Sequence, residues 1–124
     1  KENDIGTIIV DCAVELHRNL GPGLLETVYE VTLARALGDG IGSPEASLSA
    51  NRIPGETFSE GFRADLIVGE LVIVELKSLE RVTPAHKKQL LTYLRLTGLK
   101  LGYLLNFGEA LMRDGITRTI NGQL

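Results

Sequence analysis

Two acidic residues and one lysine mark the middle of this chain as a place where chemistry can happen. Glu75 and Lys77 interrupt the aliphatic run Leu71-Val-Ile-Val-Glu75-Leu-Lys77, and Asp65 precedes Leu66-Ile-Val68 ten residues earlier. On a β-strand, residues two apart project to the same side, so Glu75 and Lys77 point together. Two carboxylates facing one another repel unless something positive lies between them. A divalent cation does this well, and hard oxygen donors suit Mg²⁺ or Mn²⁺. A lysine beside such an ion can orient or deprotonate an attacking water, or offset charge developing on a phosphate.

Whether Asp65 meets Glu75 depends on register. A strict two-residue turn at Gly69-Glu70 sets Asp65 against Val74, and the two carboxylates then point to opposite faces. An odd connection over residues 69–71 sets Asp65 directly opposite Glu75. It also sorts the side chains, with Phe62, Ala64, Leu66, Val68, Val72, Val74 and Leu76 on a core face. Asp65, Ile67, Ile73, Glu75 and Lys77 fall on a half-polar one. The odd connection, with a bulge near Gly69, is the predicted one.

The surrounding pattern supplies elements to hold this hairpin, which spans 62–77. Apolar residues at helical spacing predict a first helix over 5–20, broken by Gly21-Pro22-Gly23. Pro22 suits the first turn of a second helix over 22–37, with Gly38 as its stop. From Gly38 to Gly61 the pattern is weak: Gly38–Pro44 is loop-like, Ala46–Ile53 reads as a short strand and Pro54-Gly55 as a turn. A third helix is predicted over 84–97, an apolar strand over 100–107 and a last short strand near Ile116–Ile120. A helix between strands implies an α/β fold: a single domain over 1–124, with a central mixed sheet of four or five strands flanked by helices.

Bulk properties agree. A chain of 124 residues with 44% hydrophobic and 23% charged residues suits one soluble core. No apolar run approaches the ~20 residues that span a bilayer. The charged N-terminal stretch has no secretory h-region. One cysteine, Cys12, excludes an internal disulfide and a cysteine-based zinc site, and reads as a small buried hydrophobe. A cytoplasmic location is expected. The net charge of −3 argues mildly against a polyanionic partner, although bound cations would reverse the sign of an acidic site. His17 and His86 are too isolated for a zinc site and read as peripheral.

At this point a family resemblance becomes visible. Asp65 with Glu75-Leu76-Lys77 resembles the D…(D/E)-x-K signature of the PD-(D/E)XK nuclease superfamily. The segment Gly23-Leu-Leu-Glu26-Thr-Val-Tyr29 resembles the name-giving pattern of the small bacterial GxxExxY proteins, within His17–Tyr29. Gln89-Leu-Leu-Thr-Tyr93 is similar to the QxxxY motif of RecB-like and phage-exonuclease-like members. Lys100 to Gly108 resembles the closing strand. The motifs stand in the family's order, although residues 38–61 lack its clear first strand.

The resemblance implies a restriction-endonuclease-like core and phosphodiester hydrolysis by a metal-activated water. It implies that Asp65, Glu75 and the Leu76 carbonyl bind Mg²⁺ or Mn²⁺, with Glu26 as a further ligand or acting through water. Lys77 would serve the water or the phosphate, and Gln89 and Tyr93, one turn apart, would line the site. Nucleic acid would be the substrate and a homodimer the assembly.

Each residue also has a plainer reading. Glu75 and Lys77 can form a buried pair with Asp65 on the rim. Glu26 suits the first turn of any helix. Tyr29 lies on an apolar face, Gln89 can be solvated, and Tyr93 can be core with its hydroxyl at the edge. Arg81, His86, Lys87, Lys88 and Arg95 form a modest basic cluster, ordinarily a solvated helix face. The rival to a nuclease is therefore a non-catalytic binding or assembly module on the same fold.

Overall fold

A computed structural model describes residues 1–40, 47–52 and 66–124. Helix α1 (Glu2–Leu20) and helix α2 (Glu26–Asp39) come first. Strand β1 (Ala50–Arg52), strand β2 (Leu66–Val68) and strand β3 (Val72–Lys77) follow. Helix α3 (Pro84–Thr97) then leads into strand β4 (Leu101–Asn106), a 3-10 turn (Met112–Gly115) and strand β5 (Ile116–Ile120). The five strands form one sheet in chain order. Only β3 and β4 run parallel, because α3 carries the chain back between them; the other neighbours are antiparallel. This is the expected α/β architecture with a mixed sheet.

The hairpin has the odd register. Leu66 pairs with Val74, Ile67 with Ile73 and Val68 with Val72. The connection is made possible by left-handed backbone at Gly69 (φ 58°) and, at some steric cost, Glu70 (φ 63°).

Strand alternation then divides the core. Val72, Val74 and Leu76 pack under α1 and α2 with Leu66, Val68, Leu101 and Leu105. Ile73 and Leu104 pack under α3 against Leu90, Tyr93 and Leu94. For the described residues the sorting matches expectation, with Phe62, Ala64 and Asp65 lying outside them; on the second face Glu75 is fully buried and Lys77 half-buried.

Element boundaries depart from expectation most at α2. Pro22 is not in its first turn, since the helix begins at Glu26 and runs past Gly38 to Asp39. The stop is Gly40, in the left-handed region at φ 64°. The reason for the late start is Tyr29. Its hydroxyl donates to the Gly21 carbonyl (2.6 Å) and accepts from the Leu24 N–H (3.0 Å), holding residues 21–25 as a turn. Helix α1 starts three residues earlier than predicted, and α3 begins and ends where the sequence places it. Thr83 caps α3 reciprocally with His86, whose Nδ1 accepts from the Thr83 N–H (3.0 Å). No helix among the described residues is long and apolar enough to cross a membrane.

Candidate active site

The parallel strands β3 and β4 end side by side, with Lys77 paired to Asn106. In open α/β sheets, ligands favour the crevice beyond the carboxyl ends of the strands. Here that crevice is an open pocket of about 320 Å³, walled by Gly23–Glu26 from the turn into α2, by Ser78–Glu80 after β3, and by Gly108. The fold therefore brings the start of α2 and the strand end that carries Lys77 to one place, although about fifty residues separate them in sequence.

Glu75 is 0% exposed, two residues inside the strand end, and Lys77 is half-buried. Ionised carboxylates are seldom fully buried because desolvation penalises the charge. A strand needs no glutamate there for packing, as Val72, Ile73, Val74 and Leu76 demonstrate in the same strand. Glu26 is exposed at the first position of α2, where the positive end of the helix dipole favours it, and it faces the pocket. On α3, Tyr93 is buried beside Ile73 and Gln89 is half-buried one turn earlier. Asp65 and the start of the predicted first hairpin strand, residues 62–65, lie outside the described residues.

Buried side chains that the sequence did not assign hold this end of the sheet. Asn106 is fully buried and works as a bracket. Its side chain accepts from the N–H groups of Leu79 (2.9 Å) and Gly108 (3.1 Å), and donates to the Leu79 carbonyl (3.0 Å). These bonds fix the segment following Lys77. A Cβ at Gly108 would collide with the Leu79 carbonyl, so only glycine allows this approach.

His17 is not peripheral as expected. It is buried, its Nε2 meets the Glu109 carbonyl (2.8 Å), and its ring stacks on Phe107 at 5.8 Å. Tyr29 stacks on the same Phe107 at 4.2 Å. His17, Phe107 and Tyr29 thus tie α1 and α2 to the end of β4. No pattern in the sequence pairs these three residues, because their partners come from distant segments.

Among the described residues no three His, Cys, Asp or Glu side chains stand together as a metal site. The donor types available at the end of β3, carboxylate and backbone carbonyl oxygens, are those a hard divalent cation takes.

In comparison with known proteins, residues 3–119 match the family model of the PD-(D/E)XK nuclease superfamily. No curated protein and no solved structure matches the chain.

Proposed function

The chain belongs to the PD-(D/E)XK nuclease superfamily, and from that premise we propose that it is a metal-dependent nuclease hydrolysing phosphodiester bonds in nucleic acid. The single observation that carries the reading is the position of Glu75. It is a fully buried carboxylate, on the same side of β3 as Lys77 and two residues before the strand end, beyond which Ser78–Glu80 line the pocket. The finer likeness to the GxxExxY proteins, with a QxxxY motif on α3, is part of the same reading.

Asp65 immediately precedes Leu66, and Glu75 immediately follows Leu66's partner Val74. One further step of the register would set the two carboxylates opposite one another. Asp65, Glu75 and the Leu76 carbonyl would then hold Mg²⁺ or Mn²⁺, with Glu26 contributing from α2. When bound, the ion would supply Lewis-acid polarisation of the phosphate and a more acidic water. Lys77 places its positive charge beside the phosphate and offsets the charge that develops on it. Gln89 and Tyr93 orient the substrate from α3. Asn106 and Tyr29 act as positioning residues, the first by fixing the segment after Lys77 and the second by fixing the turn before Glu26.

Calorimetric titration with Mg²⁺ and Mn²⁺ tests the metal centre. Binding is expected in the wild type and lost in both Asp65→Ala and Glu75→Ala. Cleavage of labelled single- and double-stranded DNA and RNA tests the activity, with product expected only when metal is present. A wild type that neither takes up metal at millimolar concentration nor cuts any of the four substrates would sink the reading and leave a non-catalytic module on this fold.

A further inference from the structure

Charge is distributed unevenly along this acidic chain. Five of its 13 basic residues and none of its 16 acidic ones fall between Arg81 and Lys100, so that stretch carries +5 and the remainder −8. The whole of α3 lies within it. Leu90, Tyr93 and Leu94 form the buried side of the helix. Lys88 and Arg95 are exposed on the opposite side, two turns or about 10 Å apart along the axis, with Lys87 exposed on its flank.

Helix stability does not explain the two lysines. Neither has an acidic residue three or four positions away to pair with. Both lie in the N-terminal half of α3, whose first turn holds no acidic residue, so the helix dipole works against them. Only Arg95, in the last turn, is favoured by the dipole. Among the described residues the ion pairs are the N-terminal ammonium of Lys1 with Asp4 and Arg18 with Glu15, so the cations of α3 are engaged in none. The same helix covers, with its other side, the sheet face from which Glu75 and Lys77 project.

We infer that the outward face of α3 is a docking track for the sugar-phosphate backbone of nucleic acid, gripped by Lys88 and Arg95 with Lys87 at the side. The inference rests on the nuclease reading for the identity of the polyanion. It resolves the apparent conflict between an acidic chain and an anionic substrate. Binding charge is gathered on one helix, while the remaining surface stays acidic and repels non-productive approach. Recognition of this kind is independent of base sequence, because it reads phosphates.

The test is fluorescence anisotropy of a labelled single-stranded DNA of about 16 nucleotides, and of its duplex, over a range of salt concentrations. Glu75→Gln serves as the parent so that substrate survives the measurement. In the variant that also carries Lys87→Gln, Lys88→Gln and Arg95→Gln, affinity is expected to fall at every salt concentration. The slope of log affinity against log salt should become shallower by roughly 0.7 to 0.9 for each phosphate no longer neutralised. Lys88→Glu should bind more weakly than Lys88→Gln and yet melt no lower than the wild type, an opposition that a merely structural lysine would not produce.

A triple variant with unchanged affinity and slope would overturn the track, as would a parent that binds neither probe at about 50 mM salt. Cleavage by the wild type separates this inference from the reading it rests on. An enzyme that cuts equally well with and without the three cations refutes the track and keeps the nuclease. A chain that binds through α3 and cuts nothing keeps the track and refutes the nuclease.

Discussion

Strand β3 sends Val72, Val74 and Leu76 to one side of the sheet and Ile73, Glu75 and Lys77 to the other, and the two sides are built differently. Under α1 and α2 lies a core of eighteen buried residues among those described, closed by the His17–Phe107–Tyr29 stack. Under α3 the buried apolar group is five residues, Ile73, Leu90, Tyr93, Leu94 and Leu104, and a carboxylate lies fully buried on the same side. On the proposed reading, stability and chemistry are separated by one pleat. The larger core holds the strands rigid, so the thinner side can tolerate a group that folding alone would not select.

The largest effect is expected on the chemical side. Glu75→Gln preserves shape and removes the charge, and it should lower cleavage at least about a hundredfold. Its unfolding midpoint in denaturant should move less than that of the neighbouring Leu76→Ala. Leu76 is fully buried in the larger core, and truncating it should cost about 2–5 kcal/mol. Comparable losses of stability for the two variants would mean that Glu75 is a structural residue and that the two sides do not differ in kind.

Asn106→Ala probes the boundary between the two sides, because Asn106 lies beside Lys77 and braces the segment after it. The substitution strands the Leu79 N–H and carbonyl and should cost about 1–3 kcal/mol. Cleavage should fall through a lower kcat with little change in KM if the bracket positions Lys77. Tyr29→Phe removes only the hydroxyl bonds to Gly21 and Leu24, for about 1 kcal/mol. It should loosen the turn before Glu26 and weaken Mg²⁺ binding measurably, whereas a purely core tyrosine would leave metal affinity unchanged.

The smallest effect concerns Cys12 in the larger core. Burial, with Asp11 nearby, raises the pKa of its thiol above the usual range. A disulfide reagent at neutral pH should therefore label it only as fast as the chain opens.

Much of this could be read before any coordinates. The two-residue alternation in 66–77 was enough to assign each side chain to a face. The two charged residues that interrupt this aliphatic run, Glu75 and Lys77, marked the candidate site. Pro84 and Gly98 bounded α3 to the residue, because a proline in the first turn and a left-handed glycine after the last are local preferences. The start of α2 was misjudged for the opposite reason. Pro22 favours a helix start locally, but the Tyr29 hydroxyl captures Gly21 and Leu24 from eight and five residues away and postpones the helix to Glu26.

Local preferences alone were sufficient for the alternation, the bounds of α3 and the odd hairpin register, since each follows from steric and periodic rules over a few residues. The rest emerged only on folding: Glu75 is fully buried, His17 and Asn106 are buried brackets, and Glu26 meets the residues after Lys77 in one pocket. Burial and partnership between distant segments arise from how helices close over a sheet. No local preference encodes which helix covers which face.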